Sequence, residues 1–216
     1  MFQDASELIP VANGDPVGRM ADQSGNGNDL VAGSAPTYQA GVYNGKGCLR
    51  FDGLTNYLKS ISNLGITGLG APVTLVFVGK FNDTPGAWNP LIGFGTPSGN
   101  GTNFEVETVD GKWMFHGGGS GDVGSSLAID TDLHVHVLYY DGTNIFWSID
   151  GVPVYDYTMP VALVTAASPI ALGANGWDGS GPVPADICEA LVFDSQLDSG
   201  AQLALTDFLK TKWGIA

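Results

Sequence analysis

Between Leu133 and Val154 the chain reads LHVHVLYYDGTNIFWSIDGVPV, a run of β-branched and aromatic residues interrupted twice by Asp-Gly. Successive side chains on a strand point to opposite faces, and Asp-Gly supplies the positive φ angles of tight hairpin turns. The stretch therefore predicts three strands in a meander, turning at Asp141-Gly142 and Asp150-Gly151. Pairing across the first turn puts His134, His136, Leu138 and Tyr140 on one face with Ile145, Trp147 and Ile149. Val135, Val137, Tyr139, Phe146 and Ser148 share the other. Both faces are largely apolar, so both must be covered, or one must meet a ligand or partner.

The same criteria predict further strands along the chain. Val73 to Val78, VTLVFV, is apolar almost throughout, as expected of a central strand covered on both faces. Shorter runs are Cys48 to Asp52, Tyr57-Leu58, Leu91 to Phe94, Asn103 to Thr108, Lys112 to His116, Pro169 to Leu172 and Ile187 to Phe193, with a third Asp-Gly turn at Asp110-Gly111. Phe2 to Leu30 reads as a loop with fixed bends, followed by a polar connection to Cys48. Asn82 to Gly101, Gly117 to Gly121 and GANGWDGSGPVP also read as loops around these strands. One helix is expected near the C-terminus, where Ser199 and Gln202 fit a capping box, Leu205, Phe208, Leu209 and Trp213 form an apolar stripe, and Gly214 is a stop signal. Lys210 and Lys212 suit the negative end of its dipole.

Composition narrows the class. Glycine, 32 of 216 residues, is about twice its usual share, yet it has no three-residue period and 44% of the chain is hydrophobic. Many turns around one core, in a single all-β domain, are expected. With 8 Lys plus Arg against 22 Asp plus Glu, the net charge of −14 repels a phosphate backbone and argues against nucleic acid as partner. The first residues lack the basic and apolar segments of a secretory signal, and no apolar run has the length of a membrane span. Cys48 and Cys188 allow one disulfide at most, and a pair of buried free thiols is the alternative.

Four segments carry a family resemblance: Asp22-x-Ser24-Gly25-Asn26-Gly27-Asn28; Leu49-Arg50-Phe51-Asp52-Gly53; the hairpin from Tyr140-Asp141-Gly142 to Ile149-Asp150-Gly151; and Ile187-x-Glu189-x-Leu191-Val192-Phe193 leading to Lys212-Trp213-Gly214. With them the chain resembles the concanavalin A-like lectin/glucanase superfamily, in its laminin G-like branch. The resemblance implies an antiparallel jelly-roll β-sandwich, adjacent first and last strands, a face or loop rim where many relatives bind glycans, and Tyr139 and Phe146 on an outer face, where they form a candidate partner interface. It also points to modules of phage virions and bacterial surface proteins, hence to a virion or extracellular surface.

The candidate chemistry is modest. Glucanases of the superfamily carry Glu-x-Asp-x-x-Glu on one strand face, because acid and nucleophile must flank the glycosidic bond. Here Glu105-Val106-Glu107-Thr108-Val109-Asp110 departs from that pattern, with Asp110 in the turn, so Glu105 and Glu107 are expected on a solvated face. His134 and His136, with His116 as a third, could be spaced for zinc, but lacking acidic or cysteine ligands they are expected to be hydrogen-bonded histidines at the sheet edge. Asp22, Asn26, Asn28, Asp52 and Asn56 offer hard oxygens for calcium, the more plausible metal, although turn formation accounts for the same residues. Aromatic rings in polar loops suit sugar stacking, and Trp88 with Asn89, Trp177 with Asp178, and Trp113 with His116 are the candidate glycan-binding residues. The expected function is a non-enzymatic recognition or display module that meets a glycan or a protein of a larger surface assembly. A purely structural phage decoration protein is the alternative, and a glycoside hydrolase the third reading.

Overall fold

The computed structural model describes residues 11–61, 64, 70–84, 86, 88–95, 99, 101–159, 162–163, 168–176 and 178–216. The strands in chain order are β1 Arg19–Met20, β2 Leu30–Ser34, β3 Thr37–Tyr43, β4 Lys46–Asp52, β5 Tyr57–Ser60, β6 Val73–Phe81, β7 Ile92–Gly95, β8 Asn103–Val109, β9 Lys112–His116, β10 Val123–Ala128, β11 His134–Tyr140, β12 Asn144–Ile149, β13 Val152–Thr158, β14 Ile170–Leu172 and β15 Pro184–Phe193. They form an eight-stranded sheet, β1-β2-β5-β14-β7-β8-β9-β10, and a seven-stranded sheet, β13-β12-β11-β6-β15-β4-β3, with every pairing antiparallel. The fold is a jelly-roll β-sandwich closed by one helix, α1 Ser199–Trp213.

The inner faces meet in one core in which Phe51, Leu75, Phe77 and Trp147 of the seven-stranded sheet face Phe94, Phe104, Trp113 and Phe115 of the other. β6 is the central strand of its sheet, as its unbroken apolar sequence predicts. Leu75 and Phe77 enter the inter-sheet core, while Val76 and Val78 are sealed from outside by Leu209 and Trp213 of α1. The expected meander is present, with His136 opposite Ile149, Leu138 opposite Trp147 and Tyr139 opposite Phe146. Asp110-Gly111 and Asp150-Gly151 both take positive φ at both residues, the requirement of the two-residue turns they make.

Several expectations are corrected. The polar connection before Cys48 forms β2 and β3, whose small and polar residues pair at or near sheet edges and stay partly exposed. In α1 the capping residue is Asp198, whose carboxylate accepts from Ala201 N, while Gln202 Nε2 donates to the Leu197 carbonyl. Phe208 is 59% exposed and lies off the buried stripe; Thr206 is buried in its place. At 100° per residue, Phe208 lies on the far side of Leu205 from Leu209 and Trp213. Gly214 ends the helix in the left-handed conformation as expected, φ 72°. Both cysteines are free thiols on the paired strands β4 and β15. A hydrogen bond to Cys48, together with burial, pushes the Cys188 thiol far above its ordinary range.

The position of His136 is also corrected, and the two loops with oxygens for calcium lie apart. His136 is not at an edge: it is fully buried with neither ring nitrogen hydrogen-bonded, stacked on Phe77 at 4.3 Å and tilted against Trp113 at 4.7 Å. Burial, reinforced by the neighbouring His134, lowers its pKa to about 3, so the core holds a neutral imidazole. His134 does find partners, Asp150 at 2.6 Å and Asp130 at 2.9 Å, and its pKa rises to about 9, chiefly through Asp150. The Asp22–Asn28 loop leads into β2 at Leu30, which pairs with Ser60, whereas the Asp52–Asn56 loop leads into β5 at Tyr57, which pairs with Ser34. The loops thus sit at opposite ends of one ladder, roughly 14 Å apart along the strands, and cannot share an ion. Each aspartate is occupied as a turn-maker, Asp22 accepting from Ser24 and Asn28 backbone, Asp52 from Leu54, Thr55 and Asn56. No cluster of three metal-ligating side chains occurs among the described residues.

Candidate glycan-binding site

The outer face of the eight-stranded sheet carries an unusual set of side chains on β7, β8 and β9. Register places Gly93, Glu105 and His116 in one row across these strands, with Asn103 and Glu107 on either side of Glu105 along β8. Gly93 leaves the room: a Cβ there would lie 2.3 Å from Glu105 Cγ. Glu105 and Glu107 are 1% and 2% exposed, so the expected solvated face is in fact a buried acidic pocket.

Its hydrogen bonding is incomplete. Asn103 Nδ2 donates to Glu105 Oε2 at 3.2 Å, but Asn103 Oδ1, Glu105 Oε1 and Glu107 Oε1 are buried without a hydrogen-bond partner. His116 Nδ1 lies 2.8 Å from Asp122 Oδ1 and 3.4 Å from Glu107 Oε1, on the side where the pocket reaches solvent. Burial, then the charge of Glu107, drives the Glu105 pKa well above the ordinary carboxylate range. Burial, helped by Asp122, raises that of Glu107 to about 8. Burial lowers that of His116 against the opposing pull of Asp122. Burial thus favours the neutral forms of both carboxyl groups and of the imidazole, which can donate and accept hydrogen bonds.

Trp88 stands over the rim. Its N–H donates to the Thr108 carbonyl at the end of β8, its ring meets that of His116 edge-on at 5.7 Å, and it is 52% exposed. Its φ of 63° is an uncommon conformation for a bulky residue, and such strain concentrates at binding sites. The 175–181 loop abuts it, since a Cβ on Gly181 would come within 3.1 Å of the Trp88 carbonyl oxygen. That loop carries Asp178, whose charge acts on Glu105.

The structure thus gathers Trp88, His116 and Asp178 around the pocket, with Asn89 adjoining Trp88 in the chain. Trp113 is corrected: it is 1% exposed in the inter-sheet core and cannot stack on a ligand. Residues three apart on a strand face opposite ways, so Trp113 and His116 could not share a surface. Trp177 lies outside the described residues. Tyr139 and Phe146 occupy the outer face of the other sheet as expected, stacked at 4.5 Å and half-buried. Sequence reasoning missed the burial of Glu105 and Glu107 and the parts played by Asn103 and Asp122. The available signal was Gly93 within a β-rich run, which leaves a gap for a neighbouring strand to fill. An opening of about 740 Å³ lies between the Asp22 loop and β15, where Asp22 is held by its turn and Glu189 by Lys212 and Trp213.

No protein-family model matches the sequence, and neither does any curated protein sequence. Solved structures do match in fold. Domain 4 of AbnA, a GH43 extracellular arabinanase from Geobacillus stearothermophilus solved with arabinotriose, is 17% identical over 90% of this chain and 100% of that one, with a TM-score of 0.68. The binding domain of Paraclostridial Mosquitocidal Protein 1 is 14% identical over 91% of this chain and 51% of that one, with a TM-score of 0.69. A structure of botulinum neurotoxin type C, whose cell entry depends on two ganglioside molecules, is 12% identical over 90% and 51%, with a TM-score of 0.64. The chain therefore spans the whole arabinanase domain and about half of each toxin chain.

Proposed function

We propose that this chain is a non-catalytic glycan-binding module that takes its ligand on the outer face of the eight-stranded sheet, against Trp88 and the Glu105–Glu107 pocket. The observation that carries this reading is Trp88, a large ring kept exposed in a strained conformation beside buried, incompletely bonded polar groups. Such rings offer a flat apolar platform for a sugar while the flanking polar atoms fix orientation. Support comes also from the company the fold keeps, since similar domains have been solved with arabinotriose or tied to gangliosides. The laminin G-like resemblance agrees, and it supports a cell or virion surface as the setting of the module. A glycan array probed with wild type and Trp88→Ala tests the reading: Trp88-dependent signal is expected, and an array without any such signal would overturn it.

One observation favours a second reading, glycoside hydrolysis. Glu105 and Glu107 are two carboxyl groups on one strand face with raised pKa values, as a general acid requires. Release of reducing sugar from oligosaccharides, abolished in Glu107→Gln, would establish it in place of simple binding.

A further inference from the structure

From the imbalance of charges and donors in the acidic pocket we infer that its ligand is cationic, a glycan containing amino sugars with free ammonium groups. The inference rests on the glycan reading above and specifies the ligand's charge. Glu105 and Glu107 on β8, Asp122 after β9 and Asp178 in the 175–181 loop bring carboxyl groups to one place, and His116 on β9 is the basic group in contact with them. Lys112, on the same face of β9, is exposed and forms no ion pair with Glu105, Glu107 or Asp122 among the described residues. Of the buried polar atoms there without a hydrogen-bond partner, Asn103 Oδ1, Glu105 Oε1 and Glu107 Oε1 are oxygens, and the fourth, His116 Nδ1, faces the Asp122 carboxylate at 2.8 Å. An amide oxygen can only accept, and a carboxyl group accepts at both oxygens once ionised.

Once its carboxyl groups ionise, what the pocket lacks is donors and positive charge. An alkylammonium group brings three N–H donors, a positive charge and no acceptor, which suits the orphaned carboxyl oxygens of Glu105 and Glu107. A neutral hydroxyl brings one donor and no charge. A calcium ion needs six to eight converging oxygens, and the described residues provide no cluster of three metal-ligating side chains. Trp88 at the rim completes the match, since an indole face attracts cations as well as sugar rings.

Seating an ammonium group against Glu107 stabilises its carboxylate, so the neutral acid loses its proton to solvent as the ligand binds. One proton leaves per site, and no bond to the ligand is made or broken.

Calorimetry with the full chain at pH 6 and moderate salt, in two buffers of different ionisation enthalpy, tests this with chitotriose made of glucosamine and the same trimer fully N-acetylated. The glucosamine trimer is expected to bind at least about 10-fold tighter than its acetylated counterpart, the scale of one charge-assisted contact, with release of about one proton. Glu107→Gln, a neutral replacement of the same shape, should abolish both the preference and the proton release. Equal or tighter binding of the acetylated trimer, binding without proton release, or binding indifferent to Glu107→Gln overturns the inference. So does calcium raising the melting temperature of wild type but not of Glu107→Gln. Trp88-dependent binding of neutral glycans alone would remove the charge assignment and keep the glycan reading. Absence of binding to any glycan removes both.

Discussion

The two sheets each bury a carboxylate-centred polar group on the way to solvent, and they treat it in opposite ways. On the seven-stranded sheet Asp186 is fully buried, yet it accepts two hydrogen bonds from Arg50 at 2.7 Å, one from Tyr43 at 2.7 Å and one from Asn82 at 2.8 Å. Burial pulls its pKa upward, but these donors outweigh burial and hold it below the ordinary range. On the eight-stranded sheet Glu105 and Glu107 are buried to the same degree, with Asn103 donating to Glu105 Oε2 while Glu105 Oε1 and Glu107 Oε1 lack a hydrogen-bond partner among the described residues, and their pKa values rise. A satisfied buried charge fixes register between strands. An unsatisfied one is a standing cost that a bound molecule can relieve.

The contrast can be broken most strongly at Asp186. Asp186→Ala leaves Arg50, Tyr43 and Asn82 without their acceptor, and urea denaturation should show a loss of about 3–5 kcal/mol, with a melting temperature lower by about 10 °C. Glu107→Gln should behave in the opposite sense. Because its folded pKa is raised from an ordinary 4.5 to about 8, Glu107 makes the protein less stable as pH climbs through that window, where the unfolded chain binds fewer protons. Denaturation at pH 5 and pH 8 should therefore show the variant gaining roughly 1–3 kcal/mol on wild type at the higher pH. Gly93→Ala forces a methyl to within 2.3–2.7 Å of Glu105 Cγ, Cα and Cβ and should cost roughly 1–3 kcal/mol, most of which the double variant Gly93→Ala/Glu105→Ala should retain because Cα and Cβ stay in place. The smallest effect is at the rim: Trp88→Gly relaxes a left-handed residue and should be neutral or stabilising by up to about 1 kcal/mol while binding on the array is lost.

The chemistry of this contrast was only half legible in the sequence. Period-two patterning and Asp-Gly turns gave the meander, its face assignment and the central place of β6, because those residues have one good solution as strands. β2, with LVAGS, and β10, with VGSSLA, were obscured by small and polar residues, since they run near or at an edge and bury little. Trp88, Asn89 and Asp178 stood out as an aromatic, an amide and an acid in polar loops, and His116 as an imidazole at the end of a strand. Glu105 and Glu107 did not, because alternating charges on a strand ordinarily mean water, and their burial comes from Gly93 and from loops distant in sequence. His136 misled for the same reason: an imidazole in an apolar run is free to be a neutral core side chain when aromatic rings surround it.

The middle position of β6 also governs how quickly this protein can assemble. Val78 pairs with Val135 on one side and with Glu189 on the other, so the strand waits for partners separated from it by more than half the length of a small domain. Closing such long loops before any reward is collected places the chain among slow folders, on the millisecond-to-second scale. During synthesis a nearly all-apolar strand stays open on one edge until β15 emerges, which makes VTLVFV the segment most in need of chaperone cover.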